Sequence, residues 1–386
     1  MISHSLASAG TRVDVRNRGF RRTAGTVLRL VGLLLALLMA AGLTGCEDDP
    51  AEPSFENPPV TPVEPWFMGA WGSSSSDVYL VGQPGLIAHF DGDRWTFEAS
   101  GTTARLTDVF SPDGGATYYA CGHGGVILRN TGSGWTRMES GTSENLFGLG
   151  VYDGSLHAVG RAGTVRRLTG GTWSDTAPRV IVRDRNDAPV DTLTRRTEVA
   201  NLNAVTARGI GGLHGQILMN DDTWGWQLRV VRGGREGVTA GWGDSSRLEG
   251  NLVATDRGRL FQLVIQDERL TWSERYSPAL YERIGGMWAQ ITGTTYDLFL
   301  VTWNGTVVRE TIVLLAGEST PSRTDHERIL EVPALEFYDI WGAAPDDLFV
   351  CGKSLTVYRY HDPDGGDNPE WRSTVLTVPQ GLAASR

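Results

Sequence analysis

Apolar and polar positions follow a pattern that returns seven times between Phe67 and Lys353. Each repeat begins with one apolar residue and another three positions later, often followed by Trp, and it continues into a short apolar strand that ends in Gly or Thr. Repeats of roughly 40 residues built from short strands and tight turns are typical of β-propellers. The repeats start at Phe67, Leu106, Leu146, Leu202, Val238, Ile284 and Phe337, and their strands end at Gly82, Gly122, Gly160, Gly212, Thr255, Thr302 and Gly352.

Each repeat predicts one four-stranded blade. In the first repeat we expect strands at 67–71, 77–81 and 86–90 and a fourth from Trp95, with polar or glycine-containing turns between them. The second glycine of a repeat, such as Gly85, lies where a tight hairpin requires a positive φ. The chain is therefore predicted to be an all-β, seven-bladed β-propeller. Six or eight blades stay open, because no terminal strand obviously completes a mixed blade.

Tryptophan positions follow the repeat. Because core residues are the ones that keep step with a repeat, we expect the indoles to fill the wedges between blades, and a platform for sugars is the alternative. One group ends the first strands and comprises Trp71, Trp242, Trp288 and Trp341, and a second group opens the fourth strands and includes Trp95, Trp135, Trp173, Trp226, Trp272 and Trp371.

Other residues are placed by the same alignment. Asp77, Asp297 and Asp347 each open a second strand, and we predict that they cap the backbone at a turn. Two stretches break the period: 179–199 predicts an extra hairpin after blade three, and 316–332 lengthens blade six. Inserts in repeat proteins map to loops on one face, so they are either working surface or solvated loops.

Two cysteines fall inside the repeats. Cys121 and Cys351 precede the repeat glycine, where other repeats have Val81, Val159 and Val301. We therefore interpret both as small core hydrophobes. In blades two and seven they would be too far apart for a disulfide.

The segment 1–45 has the pattern of an export signal. Arginines up to Arg29 precede an apolar run from Leu30 to Leu43, which is too short to span a bilayer comfortably. The run ends in Leu43-Thr44-Gly45-Cys46, which resembles the bacterial lipobox, in which the cysteine is diacylated and becomes the first residue after cleavage. We predict a lipoprotein signal peptide at 1–45 and lipidation of Cys46. An ordinary signal peptide with a chance cysteine, or an uncleaved anchor, is the alternative.

Composition divides the rest of the chain. Residues 46–65 are acidic and proline-rich, which predicts an extended tether that holds the folded part off the membrane. Residues 66–379 are predicted to form the propeller, and 380–386 a C-terminal tail.

Charge restricts the partners. The chain has 45 acidic and 35 basic residues and a formal charge of −10, so nothing favours nucleic acid or anionic lipid headgroups. We expect a monomer that meets the membrane through its lipid and binds an unidentified protein or polysaccharide.

The first repeat resembles those of propeller lipoproteins from myxobacteria and related bacteria, and more distantly Kelch and BNR-repeat propellers. The phrases that carry the resemblance are Trp71-Gly72, Asp77-Val78-Tyr79-Leu80-Val81-Gly82, Gly85-Leu86-Ile87 and Phe90-Asp91-Gly92-Asp93-Arg94-Trp95. The resemblance implies a propeller fold and an envelope location. The BNR Asp-box, Ser-x-Asp-x-Gly-x-x-Trp, is not matched, because Asp91 and Gly92 are adjacent. A sialidase activity is therefore not implied.

Motifs for catalysis, nucleotides and cofactors do not occur. There is no Gly-x-Ser-x-Gly and no phosphate loop, and no histidine pair has metal-ligand spacing. No cofactor is expected. Asp362, Asp364 and Asp367 are spaced a little like a calcium loop, but no downstream bidentate Glu follows, so an acidic hairpin turn is the simpler interpretation.

The residues just after the repeat Gly or Thr form the candidate binding site. They lie in the turns between second and third strands, which gather at one mouth of a propeller's channel. The scaffold requires glycine beside them but not their variety, so a ring of mixed polar groups can bind a peptide or a polar ligand. Alternatively, they are polar only because turns are. The ring comprises Gln83, His123, Arg161, Leu213, Asp256, Trp303 and Lys353.

These observations favour a lipid-anchored binding or scaffolding module of the bacterial envelope, most simply at the outer membrane, without catalytic activity. A carbohydrate-active enzyme, either a glycosidase or a lyase, is the first alternative, and two carboxylates facing each other in a pocket would favour it. An assembly factor that holds another envelope protein during its maturation is the second.

Overall fold

In the computed structural model, the described part of the chain is all β-strand, turn and loop. It comprises residues 63–176, 180–183, 189–193, 199, 201–221, 225–230, 236–247, 250–266, 269–276, 282–313, 323–361 and 369–380. No helical segment within these ranges has the length and hydropathy needed to cross a membrane. The predicted signal peptide, Cys46 and most of the predicted tether lie outside the described residues.

Seven sheets form within these ranges, and each contains the four antiparallel strands of one repeat. Blade one contains β1 (Trp66–Ser74), β2 (Asp77–Gln83), β3 (Ile87–Phe90) and β4 (Trp95–Phe97). Blade two contains β5 (Leu106–Phe110), β6 (Tyr118–Gly122), β7 (Ile127–Asn130) and β8 (Trp135–Met138). Blade three contains β9 (Leu146–Tyr152), β10 (Ser155–Gly160), β11 (Val165–Thr169) and β12 (Thr172–Asp175). Single 3-10 turns at His123–Gly125, Arg161–Gly163 and Leu213–Gly215 join second to third strands in blades two to four.

The remaining four sheets complete the set. Blade four contains β15 (Leu202–Thr206), β16 (Gly209–Gly212), β17 (Gln216–Asp221) and β18 (Gly225–Val230), with β13 (Val180–Arg183) and β14 (Pro189–Leu193) added at its edge. Blade five contains β19 (Val238–Gly243), β20 (Asn251–Thr255), β21 (Leu260–Gln266) and β22 (Arg269–Tyr276). Blade six contains β23 (Ile284–Thr292), β24 (Thr295–Thr302), β25 (Thr306–Val313) and β26 (Arg323–Glu331). Blade seven contains β27 (Phe337–Ala344), β28 (Asp347–Gly352), β29 (Thr356–His361) and β30 (Glu370–Val375).

The blades close into a ring around a channel. The first strands β1, β5, β9, β15, β19, β23 and β27 contact each other in that order, and β27 contacts β1 again. The prediction of a seven-bladed β-propeller is thus confirmed, and the alternatives of six and eight blades are wrong.

The seam between blades seven and one contains no exchanged strand, because each blade is built from four consecutive strands of its own repeat. Side chains join the two blades instead. Phe67 and Phe90 of blade one pack with Phe349 and Cys351 of blade seven in one buried cluster. Across the same seam, the backbone N–H of Ala70 donates a 2.9 Å hydrogen bond to the carboxylate of Asp339.

Tryptophans of the fourth strands fill the wedges between blades, as predicted. Trp95 of blade one lies 6.2 Å from Phe349 of blade seven, measured between ring centroids. Trp135 of blade two lies 5.6 Å from Tyr79 of blade one, and its indole N–H donates a 2.8 Å hydrogen bond to Glu98. Each such indole therefore seals a blade against the one before it.

The extra hairpin after blade three is confirmed. Strands β13 and β14 pair antiparallel, and β13 pairs in parallel with β18, so the hairpin widens blade four to six strands. Its connecting residues, 184–188, lie outside the described part of the chain. The second predicted insert was partly wrong. Arg323–Glu331 is β26, the ordinary fourth strand of blade six, whose charged and largely exposed sequence lacks the apolar alternation of a strand.

The aspartates that open second strands do not cap the backbone, so that prediction is wrong. Each binds a side chain of the neighbouring third strand 12 residues later, which gives its carboxylate a charged or imidazole partner. The partners are His89 for Asp77 at 2.8 Å, Arg309 for Asp297 at 2.8 Å and Arg359 for Asp347 at 2.9 Å.

The second glycine, which occurs in six of the seven repeats, meets two requirements where its packing is described. Gly85 has a φ of +59°, as its hairpin turn requires, and a Cβ there would also collide with the carbonyl oxygen of Thr102 in the segment that leads to the next blade. A Cβ at the equivalent Gly125 or Gly305 would collide in the same way with the carbonyl oxygen of Thr142 or Val332, respectively. The turn and the link between blades therefore pack against each other only through glycine.

Replacing Gly85 by Ala tests this packing, with Gly101→Ala as the matched control. Gly101 has a similar φ of +66°, but a methyl group added there would meet no atom within 4 Å, so its variant carries backbone strain alone, of about 1–3 kcal/mol. We expect Gly85→Ala to lower the free energy of unfolding by at least about 2 kcal/mol more than the control does, because the collision is with backbone. Urea denaturation measures both, and equal losses would contradict the account.

Candidate functional site

The central channel has two ends of different character. One end, called here the upper mouth, carries the seven turns between second and third strands and the residues just before the first strands. The other end, called the lower mouth, carries the turns between first and second strands.

The ring residues predicted from the sequence occupy equivalent places at the upper mouth. In blades two to seven, the backbone N–H of the ring residue donates to the carbonyl of the residue that precedes the first strand. These bonds run from His123 to Arg105, Arg161 to Asn145, Leu213 to Asn201, Asp256 to Gly237, Trp303 to Arg283 and Lys353 to Glu336. Except for Asp256, whose partner is glycine, each of these ring residues is therefore paired with a residue whose side chain also belongs to the rim.

Several ring side chains are paired within the rim. Lys353 Nζ lies 2.7 Å from Glu336, and Arg161 lies 3.9 Å from Glu144 while its side chain remains 64% exposed. Gln83 is buried, and its side-chain oxygen accepts a 2.5 Å hydrogen bond from Arg105. Arg161 and Lys353 are exposed and Gln83 is not, so the ring is uneven.

An aromatic platform stands at the upper mouth between blades six and seven. The guanidinium of Arg283 lies 3.9 Å from the ring centroid of Trp303, whose indole lies 5.4 Å from the ring of Tyr338. Burial lowers the pKa of Arg283, although the group stays charged, and the carboxylate of Asp256 acts in the opposite direction. Burial raises the pKa of Tyr338, while Arg105 and Arg283 lower it, so both cations face this phenol from different blades.

His123 completes the polar side of the rim. Its ring lies 6.3 Å from Phe147, edge to face. Burial lowers the pKa of His123, and the nearby Arg105 lowers it further, so the imidazole is neutral at pH 7. The upper mouth thus combines cations, carboxylates, a neutral imidazole and partly exposed aromatic rings.

The channel itself contains a cavity of about 490 Å³, called here the lower cavity. It is lined by the first strands along most of their length, from second residues such as Phe147 and Tyr338 to residues just beyond the strands, such as Pro112 and Ser245, so it reaches the lower mouth. None of the seven ring residues lines it. The site predicted from the sequence lies at the upper mouth only.

Two carboxylates line the lower cavity at equivalent positions, the third residue of their repeats. Asp108 accepts hydrogen bonds of 2.8 Å from its neighbour Val109 N–H and of 2.7 Å from Leu149 N–H in blade three. Asp339 accepts 2.9 Å bonds from Ile340 N–H and, across the seam, from Ala70 N–H. Each carboxylate therefore ties its blade to the next.

The positions of these carboxylates raise their pKa values. Burial raises the pKa of Asp108 well above its ordinary value, and the charge of Asp339 raises it further. Burial raises the pKa of Asp339 to about 7. Because both side chains remain partly accessible from the channel, water or a ligand can reach them.

The sequence contained a signal for this pair. Asp108 stands opposite Cys121 and Asp339 opposite Cys351, whereas a glycine at the same position stands opposite valine in blades one, three and six. Both cysteines are free and buried, as expected. The joint change of glycine to aspartate and valine to cysteine marks blades two and seven as different from the other five.

A second concavity, of about 790 Å³, lies between the outer strands of blades seven and one. Its aromatic residues Phe90, Trp95 and Phe349 pack against one another, and its Arg359 is paired with Asp347. This concavity is larger than the lower cavity, but its aromatic and charged side chains already pack or pair with one another and stabilise the seam. We therefore place the candidate site at the channel.

Metal binding finds no support in the described ranges, where no group of three or more His, Cys, Asp or Glu residues could hold an ion. The weak calcium candidate, Asp362, Asp364 and Asp367, lies outside them.

Comparisons with known proteins identify the fold. No protein-family model and no curated protein matches the chain. Among solved structures it is similar to YCF48 from Cyanidioschyzon merolae, with 15% identity, a TM-score of 0.52, and coverage of 79% of this chain and 98% of that chain. It is similar to YCF48 bound to D1 peptide, with 16% identity, a TM-score of 0.51, and coverage of 78% and 95%. It is also similar to the WD40 repeats of RRP9, with 11% identity, a TM-score of 0.52, and coverage of 75% and 88%. At such identities the likeness establishes the propeller fold alone.

Proposed function

We propose that this chain is a non-catalytic binding module that holds a protein partner by an extended peptide segment at the upper mouth. The observation that carries the proposal is the platform of Arg283, Trp303 and Tyr338 on the same rim as the exposed Arg161 and Lys353. Tryptophan, tyrosine and arginine are the side chains that dominate binding energy in protein interfaces.

Peptide chemistry fits the mixed character of this rim. A peptide offers carbonyl oxygens and carboxylates to the cations, N–H groups to Asp256 and Glu336, and apolar side chains to the partly exposed aromatic rings. A structure of similar fold was solved as YCF48 bound to D1 peptide, which supports a peptide as the ligand class. A partner held only during its own maturation would make the module an assembly factor.

The alternative function is that of a carbohydrate-active enzyme, and Asp108 and Asp339 in an aromatic cavity are the observation that favours it. Glycosidases use two carboxyl groups, of which one transfers a proton to the leaving group. Here one oxygen of each carboxylate accepts the backbone N–H of the next residue, and the other accepts a backbone N–H of the neighbouring blade. Such groups are held in structural roles, and we therefore favour the binding module.

We further propose that the module is anchored in the bacterial envelope by a diacylated Cys46, most simply at the outer membrane. The proposal rests on the order of basic segment, apolar run, small residues and cysteine in the sequence. The acidic, proline-rich tether would then hold the propeller away from the lipid surface.

Affinity capture with a rim variant tests the peptide site. The double variant Arg161→Ala, Trp303→Ala removes two side chains of the type worth about 2 kcal/mol each at an interface centre. We expect partners captured from a detergent extract to fall at least tenfold relative to wild type, measured by quantitative mass spectrometry. The control is Arg137→Ala, an exposed arginine on β8. Equal recovery by the double variant, with an unchanged melting temperature, would rule the rim out.

Lipidation is tested by Cys46→Ser, with Cys121→Ser as the control for thiol chemistry. Wild-type protein grown with an alkyne-tagged fatty acid should carry the tag and sediment with envelope membranes. Cys46→Ser should lose both properties, because only the thiol of this residue can take the diacylglyceryl group. Wild-type protein without the tag, or a variant that remains on membranes as firmly as wild type, would refute the anchor.

A further inference from the structure

The lower cavity has an aromatic wall that the proposed function does not use. The fifth residue of the repeat is aromatic in five consecutive blades of the ring, and all five side chains line the cavity. In blades three and four the equivalent residues are the much smaller Gly150 and Thr206. The aromatic arc, as we call it, comprises Trp242, Trp288, Trp341, Trp71 and Phe110.

The arc is continuous at the seam and remains partly open to the channel. Trp71 and Trp341 lie 6.4 Å apart, and Trp71 and Phe110 lie 5.6 Å apart, between ring centroids. All except Trp341 keep a partly exposed surface. The rings thus offer apolar surface and electron-rich faces to a cavity whose volume suits a small ligand or one long side chain.

The two carboxylates of the same cavity have no cationic partner there. Asp108 and Asp339 stand two residues before members of the arc, and no lysine, arginine or histidine is among the described residues that line the cavity. Each carboxylate oxygen accepts one backbone N–H, and an oxygen of this type has a second acceptor site. Among the described residues that line the cavity, no cation therefore offsets the electrostatic repulsion between these two partly buried carboxylates.

We propose that the lower cavity binds an organic cation, with its ammonium or guanidinium group between Asp108, Asp339 and the aromatic arc. Carboxylates supply charge-assisted hydrogen bonds to such a group, and aromatic faces attract it by cation–π interaction. Two sources share this chemistry, a small-molecule cation and the lysine or arginine side chain of a partner at the lower mouth. A hydrated inorganic cation gains little from the arc, so the arc selects for the organic class.

Binding should depend on pH, because the cation requires an ionised carboxylate. With the pKa of Asp339 at about 7 and that of Asp108 also raised by burial, acidification below 7 protonates the site and weakens binding. The other titratable groups near Asp339 and Asp108 are the thiols of Cys351 and Cys121, whose pKa values burial raises further from neutrality. The phenol of Tyr338 also lines the cavity, and burial raises its pKa, so none of these three groups titrates between pH 5 and 8.

Matched probes test the proposal on the purified propeller. Acetyl-arginine methylamide carries a guanidinium, and acetyl-citrulline methylamide is its neutral isostere. Titrations followed by the indole N–H resonances should show saturable binding of the arginine probe and at least tenfold weaker binding of the citrulline probe. Affinity for the arginine probe should fall by about tenfold or more per pH unit below 7, because one linked proton produces a tenfold change and the two carboxylates can take up two protons. Tetramethylammonium binding as tightly as the arginine probe would indicate a small-molecule cation, and weaker binding a partner's side chain.

Variants locate the site. Asp339→Asn should weaken binding of the arginine probe at least tenfold, whereas Glu139→Gln, an exposed carboxylate on the outer surface, should not change it. Equal binding of arginine and citrulline probes, tighter binding of calcium than of either organic cation, or no saturable binding would overturn the proposal. The isostere and pH measurements need only wild-type protein, so they decide the question even if Asp339→Asn fails to fold.

Discussion

The structure depends on closing a ring of seven sheets at a seam that no strand crosses. Each blade is too small to bury both of its faces, so a gap at the seam would expose two of them. Blades seven and one are joined by the packing of Phe67, Phe90, Phe349 and Cys351 and by the hydrogen bond from Ala70 N–H to Asp339. Elsewhere a covalent link assists each junction, and at the seam these contacts act alone.

The same aspartates connect the closure of the ring to its chemistry. Asp339 joins blade seven to blade one, and Asp108 joins blade two to blade three in the same geometry. Gly286 and Gly69, the equivalent residues of the preceding blades, leave room for them, since a Cβ at either position would approach the aspartate of the next blade. Burial of these acids in the channel wall destabilises their ionised forms, and a bound cation would relieve that cost. The structural role explains why the acids are tolerated, and the arc explains how they could be used.

The sequence predicted those features that each repeat repeats. One period is followed by Gly85 and its equivalents, by the indoles of the fourth strands and by the apolar second strands. Such a period can be recognised from the amino-acid sequence alone. Features that depend on two residues from different strands were missed. The pairing of Asp77 with His89 depends on register across a hairpin, and β26 was missed because its charged sequence has no apolar alternation. The pair of Asp108 and Asp339 depends on which blades lie two apart in the ring, and a linear sequence does not display that.

Native-state hydrogen exchange of two backbone amides tests the closure of the ring most directly. The amides of Ala70 and Leu149 occupy equivalent positions and donate to Asp339 and Asp108, but only the first bond crosses the seam without a covalent link. The account predicts that both exchange with the same free energy of opening, equal to that of global unfolding. If the Ala70 amide exchanged with a distinctly smaller free energy of opening than the Leu149 amide, the ring would open locally at the seam. That result would contradict the account.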